Sequence, residues 1–303
     1  MNDEFNRLAL KQKQALPLEA KVVLAQQRIR EWYEHWDGQV YVSFSGGKDS
    51  TVLLHLVRDI YPDVPAVFID TGLEYPEIRK FAMSQSNVTT VRPEMRFDEV
   101  LKQRGYPVVS KEVSCTVKYA KKDSTWALNR FQGLDPLGNP STWKKQYIKW
   151  AGLVDAPFAI SDECCDIMKK SPAKRYEKET GRKPFVGTQA GESALRESQY
   201  LKTGCNGFDS KRPTSKPLSV WLEDDIWEYI RTRNLEYSTV YDQGYDRTGC
   251  MFCMFGCHLE KAPNRFQKMK ETHPKQYDFC MRPQEKNGLG LRDVLEYLGV
   301  KYE

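Results

Sequence analysis

No stretch of this chain approaches the ~18 consecutive apolar residues that a membrane-crossing helix needs, and the mean hydropathy is −0.65. The opening MNDEFNRLALKQKQ lacks the apolar core of a secretory leader. Neither end carries a lipid-anchor motif. A soluble cytosolic protein without a membrane partner is expected. There is no internal repeat and no low-complexity tract, which excludes solenoid and fibrous architectures. Charge imbalance is small: 46 Lys and Arg against 41 Asp and Glu leave +5, which permits an anionic partner without demanding one. What is present suffices for a core. Hydrophobic residues make up 40% and aromatics 12% of 303 residues, so wholesale disorder is excluded, and one large α/β domain or two smaller ones are expected.

Eight cysteines stand out: Cys115, Cys164, Cys165, Cys205, Cys250, Cys253, Cys257 and Cys280. A cytosolic chain of this length is not expected to carry a disulfide framework, and clustered cysteines there more often bind metal or do chemistry.

Residues 6 to 36 read as helix, broken at Pro17. The period then changes. Residues 39–44 are a short β-rich run. Ser45-Gly46-Gly47-Lys48-Asp49-Ser50 follows, then a helix with Val52, Leu53, Leu56, Val57 and Ile60 on one face. A second strand at 66–70 ends in Thr71-Gly72. Pro76 opens another helix, and 88–91 is a third strand. Alternating strands and helices predict an α/β fold, a doubly wound and mainly parallel sheet. Residues 110–160 interrupt the rhythm with a basic, aromatic, partly helical insertion that includes Trp126, Arg130, Trp143, Tyr147 and Trp150. The sheet pattern returns at 184–187, and a helix is expected at 223–231. The organisation expected is a helical segment at 1–37, an α/β nucleotide-binding domain at 38–235 carrying the insertion, and a cysteine-rich, loop-rich region at 236–303.

A strand, Ser-Gly-Gly-Lys-Asp-Ser and a helix make a phosphate cradle. The glycines allow close backbone approach, and free N–H groups and the positive helix end face the anion. Ser45 and Ser50 offer hydroxyls and Lys48 a charge, while Asp49 is suited to orient the loop or hold a cation. The Walker pattern is absent, because no glycine stands five positions before Gly47-Lys48.

Residues 41–50 resemble the pyrophosphate loop of the adenine nucleotide α-hydrolase (PP-loop) superfamily, and most closely that of the phosphoadenosine phosphosulfate (PAPS) reductase family. Residues 68–72 with Tyr75-Pro76-Glu77 are similar to that family's second strand and following helix. Gly187, Glu192, Ser193 and Arg196 match its G-x-R-x-x-E-S-x-x-R segment, with Gln189 where arginine is usual. Residues 217–221 with 225–230, and Tyr241-Asp242-Gln243-Gly244-Tyr245 leading to Gly249-Cys250, match further segments. The resemblance implies an adenine nucleotide (PAPS, adenylylsulfate or ATP) held by Ser45 to Ser50, with Asp70, Thr71, Gly187, Glu192, Ser193 and Arg196 around it.

Cys164-Cys165 with Cys250-x-x-Cys253 is similar to the arrangement by which adenylylsulfate (APS) reductases bind a 4Fe–4S cluster. The chemistry agrees. Adjacent thiols do not easily converge on one tetrahedral zinc, whereas a cubane offers each a different iron. Zinc and unliganded buried thiols are the alternatives. Cys257 or Cys280 can replace one of the adjacent pair, and His258 can tune a cluster through hydrogen bonds.

The resemblance also implies a C-terminal Glu-Cys-Gly-Leu-His tail with the nucleophilic cysteine, and residues 298–303 do not supply it. Cys205, Cys257 and Cys280 are then the candidate nucleophiles. The leading reading is a sulfonucleotide reductase served by a thiol reductant such as thioredoxin. The second is an ATP pyrophosphatase that transfers sulfur, using Mg2+ with ATP and a nucleic-acid acceptor held by residues 110–160. The third is a non-catalytic, cluster-bearing nucleotide sensor.

Overall fold

The computed structural model describes residues 3–303, the side chains of Asp3 and Trp143 apart, so the expected contribution of Trp143 to the insertion lies outside the described residues. The chain divides into two compact units. The first takes Met1–Asp70, Glu74–Arg92 and Pro172–Thr248, and the second Thr71–Leu73, Pro93–Ser171 and Gly249–Glu303. Among the described residues the strands are β1 (Val40–Ser43), β2 (Ala66–Ile69), β3 (Val88–Val91), β4 (Val108–Val109), β5 (Lys183–Val186), β6 (Asn206–Gly207), β7 (Thr214–Ser215) and β8 (Met254–Phe255).

In the first unit six strands form one sheet in the order β3-β2-β1-β5-β7-β6. Every neighbouring pair is parallel except β6 with β7. This is the α/β, mainly parallel sheet expected from the sequence. β1 sits centrally, with Val42 paired to Ala66 of β2 and to Phe185 of β5. Val40, Tyr41 and Val42 are all buried, as in a strand covered on both faces, which is why the run is apolar without alternation. The helix Lys48–Arg58 packs on β1 and β5 and against the helices Leu18–His35 and Glu223–Thr232. Trp32, Phe44, Phe68, Phe185 and Trp221 fill the space between helices and sheet. Pro17 caps the helix Leu18–His35 after the break at Gln14, as the sequence suggests. A buried ion pair of 2.6 Å, Lys21 with Asp225, ties that helix to the start of Glu223–Thr232.

The second unit is mostly helical. The insertion carries the helices Lys111–Ala120 and Thr125–Phe131. β4 and β8 pair in parallel, Val108 with Met254 and Val109 with Phe255. The last sixty residues are more ordered than expected, with helices at Arg265–Thr272, Pro274–Met281 and Leu291–Tyr297. None exceeds eight residues, too short for a helical period to show in the sequence. No helix among the described residues is long and apolar enough to cross a membrane.

Candidate functional site

The turn after β1 is fixed by its own hydroxyls. Ser45 N donates to Ser50 Oγ at 3.1 Å, the two serine hydroxyls lie 3.0 Å apart, and Ser50 Oγ donates to Gly47 O at 2.8 Å. Gly46 has φ +74°, and a Cβ there would stand 2.9 Å from the carbonyl oxygen of Ile78. Gly47 is needed for a different reason. A Cβ on it would stand 2.9 Å from Thr248 Oγ1 and 3.2 Å from the Tyr241 hydroxyl. Gly187, just beyond β5, presses on the start of the helix, where a Cβ would meet Asp49 O at 2.9 Å. The loop therefore lies between β1 and β5, at the carboxyl end of the strands where the order reverses, the usual crevice for ligands in such sheets.

The charges around the loop are committed inside the unit. Lys48, 3% exposed, reaches Glu223 Oε1 at 3.0 Å, Asp246 O at 3.1 Å and Asp49 Oδ2 at 3.6 Å. The sequence suggests a lysine open to phosphate, whereas its ammonium is turned into the protein. Lys48 N donates to the Tyr241 hydroxyl at 2.9 Å, which lies 3.1 Å from Thr248 Oγ1. Burial pushes the Asp49 carboxyl up, Lys48 opposes this, and Glu192 and Glu223 add to it. Gln189 Nε2 donates to Asp49 Oδ1 at 2.7 Å, so the residue standing at the family's arginine position holds an acid of the loop. Gln189 N in turn donates to Glu192 Oε1 at 2.8 Å. Ser193 caps the helix Ala194–Thr203 by accepting from Arg196 N at 3.3 Å, and Arg196 pairs with Glu192. Asp70, after β2, accepts from Arg79 Nε and Nη2 at 2.9 and 3.0 Å and from Arg92 Nε at 3.2 Å. The Arg79 hydrogen bonds, joined by Arg92, hold its carboxyl below the usual range. Thr71 belongs to the second unit, where Leu73 N donates to its hydroxyl at 3.1 Å. Tyr241, Thr248 and Glu223 are contacts that the sequence reading gave no role. The Tyr241–Tyr245 segment was the available signal.

The thiols fall into separate groups. All eight are unbridged. Cys164, Cys165, Cys250 and Cys253 lie in the second unit, where Cys164 feels the charges of the other three. The hydrogen bond between Cys164 and Cys165, helped by Lys111 and Lys169, lowers the Cys165 thiol, while the same bond and burial raise Cys164. A π-helical turn at Asp166–Lys170 follows the adjacent pair directly, and β8, which pairs with β4, begins directly after Cys253. Arg265 Nη1 donates to Cys253 O at 2.8 Å. Among the described residues no three His, Cys, Asp or Glu side chains are gathered closely enough for one metal ion. A cubane presents its irons at separate corners and takes one thiolate at each, so it does not need such a cage. Lys111 and Lys169 lie near Cys165, and Arg265 near Cys253.

The three candidate nucleophiles stand apart from that group in character. Cys257 and Cys280 are 1% and 0% exposed, and they donate to Met254 O at 3.0 Å and Tyr277 O at 3.2 Å. Burial pushes them up to about 11 and about 12. Burial also raises Cys205. Such thiols are mostly protonated near neutrality and are poor nucleophiles. His258, half buried, meets Trp150 edge-on at 5.0 Å, and burial, joined by Lys149, lowers its pKa.

Residues 39–107 and 138–255 match the family model of the phosphoadenosine phosphosulfate reductase domain. An uncharacterised protein of Methanocaldococcus jannaschii is 27% identical over 257 residues. These are 82% of this chain but 49% of that one, so the chain spans about half of that relative's length. An adenosine 5'-phosphosulfate reductase of Staphylococcus epidermidis is 26% identical over 234 residues, 74% of each chain. Among solved structures, the PAPS reductase of Candida auris in its phosphate complex is 19% identical. It covers 82% of this chain and 96% of its own, with a TM-score of 0.45. The ATP complex of Candida glabrata FMN adenylyltransferase is 13% identical, with coverages of 82% and 69% and a TM-score of 0.44.

Proposed function

The chain belongs to the phosphoadenosine phosphosulfate reductase domain family, and from that premise we propose that it binds an adenine nucleotide at Ser45–Ser50 and reduces a sulfonucleotide. The observation that carries this reading is the gathering of Cys164, Cys165, Cys250 and Cys253 in one unit of a chain whose other unit holds the glycine loop. The likeness to an APS reductase over 74% of the chain supports it. In this reading the loop amides and Ser45 and Ser50 hold the phosphates. Gly187 keeps β5 close, and Gln189 and Glu192 keep Asp49 in place. The four thiols would hold a 4Fe–4S cluster, which when bound supplies a redox centre and a local charge tuned by its surroundings.

The reaction needs a thiolate from Cys205, Cys257, Cys280 or a thiol partner. It attacks the nucleotide's sulfur and breaks the S–O bond. The nucleotide leaves, and a thiosulfonate remains. A reduced dithiol of the thioredoxin kind then releases sulfite and becomes a disulfide. The raised pKa values of the three candidates favour a second reading, in which no thiolate of this chain is required. There the loop holds the pyrophosphate leaving group of ATP, with Mg2+, and an adenylated acceptor takes up sulfur. For a nucleic-acid acceptor, the insertion offers the cations Lys122, Lys144 and Lys145 and the ring of Tyr119, which is 42% exposed.

One assay separates them. The protein is given APS or PAPS with reduced thioredoxin and sulfite is measured, and in parallel it is given ATP with Mg2+ and pyrophosphate is measured. Sulfite is expected. Pyrophosphate without sulfite would establish the second reading, and neither product would leave the nucleotide sensor.

A further inference from the structure

The first unit contains a cavity of about 310 Å³. Its walls come from the helices Asp3–Gln14, Leu18–His35 and Ala194–Thr203 and from the β6–β7 edge of the sheet. It shares no lining residue with Ser45–Ser50 or with Gly187–Arg196. Its volume is that of a small-molecule pocket at the lower end of the usual range.

The lining divides by chemistry. Leu24, Tyr200, Phe208 and Val220 make an apolar wall. Phe208 is fixed by stacking on Trp32, with ring centres 5.1 Å apart. Lys13, Arg28 and Glu31 supply the charge. Arg28 Nη1 donates to both oxygens of Glu31, at 2.8 and 2.7 Å, so that pair is internally balanced. Asn206 braces it, donating to Arg28 O at 3.0 Å while accepting from Ser215 Oγ at 2.6 Å. Lys13 is the surplus cation. It donates to the Tyr200 hydroxyl over a long 3.5 Å, so the ammonium can turn to a ligand. Cys205 completes the wall, its thiol among Arg28, Lys13 and Ser219.

We propose that this cavity is a second small-molecule site, for a small organic carboxylate whose apolar body lies against Leu24, Tyr200 and Phe208 and whose charge is met by Lys13 and Arg28. An anion is favoured because the lining carries two cations and one carboxylate. A compact body is favoured because the volume lies at the lower end of the range for small-molecule sites. Cys205 reports occupancy, since a ligand seated here covers its sulfur. The proposal is independent of what the glycine loop binds.

The test uses the whole protein. Alkylation of Cys205 by iodoacetamide, in which the thiolate displaces iodide, is followed at mildly alkaline pH by mass spectrometry of the peptide that contains it. Phenylacetate, benzoate and hexanoate are added in turn, each against its neutral amide. The expected result is that at least one carboxylate slows alkylation by about tenfold at saturation while its amide does not, a difference of roughly 1.4 kcal/mol. Lys13→Gln should remove most of that protection and leave nucleotide affinity unchanged. Thr203→Trp, which places an indole at the cavity wall, should slow alkylation without ligand. Should Cys205 resist alkylation throughout, calorimetry with the same probes on the wild type and on Lys13→Gln decides. Equal protection by acids and amides, or no binding of any of the three acids, overturns the proposal.

Discussion

At the residue scale, Gly46 and Gly47 are adjacent and alike in sequence, yet they meet different constraints. Gly46 sits at positive φ with a backbone carbonyl where its Cβ would go. Alanine there must strain the backbone and displace Ile78. A stability loss of roughly 1–2 kcal/mol is expected for Gly46→Ala from the left-handed conformation alone. Gly47 has ordinary φ and meets the ends of side chains, Thr248 Oγ1 and the Tyr241 hydroxyl most closely and Ser45 Oγ at ordinary contact distance. Gly47→Val should therefore fold, because two hydroxyls can shift, but its isopropyl group would cover the amides that a phosphate must approach. Thermal melting and calorimetry with ATP and APS check both. Gly46→Ala melts lower, and Gly47→Val melts near the wild type and binds neither nucleotide. Unchanged affinity in Gly47→Val would refute the placement of the phosphates at this loop.

At the element scale, Asp70 joins the end of β2 to the helix Pro76–Ser84 through Arg79 and to the end of β3 through Arg92. A buried carboxylate held by two guanidinium groups titrates below its unfolded value. Its contribution is thus fully present above the unfolded value near pH 4 and is lost as pH falls through the lower, folded value. Asp70→Asn should cost about 1.5–3 kcal/mol at neutral pH, the range for hydrogen bonds to a charged group. That difference should shrink below pH ~4 as the wild-type carboxyl protonates. Denaturant unfolding at several pH values measures this, and a difference constant across the range would mean that the ion pairs contribute nothing. The strands joined here were legible in the sequence, β2 as a short apolar run closed by Asp70 and β3 as a β-branched run, Val-Thr-Thr-Val, closed by Arg92. The contacts that shape the site were not. Lys48 N finds Tyr241 from 193 positions away, and Gln189 finds Asp49 from 140 away. Local pattern carries no information at that range. The strained Val109, at φ +60°, was equally invisible, because β-branched residues rarely adopt that conformation. The terminal helices escaped because their apolar positions, such as Leu291, Val294 and Leu295, span barely one turn.

At the scale of the whole molecule, loop and thiols belong to different compact units, and this sets what loss of iron should do. Cys164, Cys165, Cys250 and Cys253 all lie in the second unit. The segments beside them are short, a five-residue turn at Asp166–Lys170 and the two-residue strands β4 and β8. Where ligands from distant segments are tied to a common centre, binding free energy becomes folding free energy for those segments. Protein purified without oxygen should be brown and carry about four irons per chain. Cys250→Ser and Cys253→Ser should lose the colour. Hydrogen exchange should then rise in residues 160–171 and 249–260, while β1, β2 and β5 keep their protection, because the sheet and its apolar contacts lie in the first unit. Stoichiometric zinc without iron, after anaerobic expression with iron supplied, would contradict the cluster. Protection lost equally across both units would show instead that the thiols stabilise the chain as a single cooperative body.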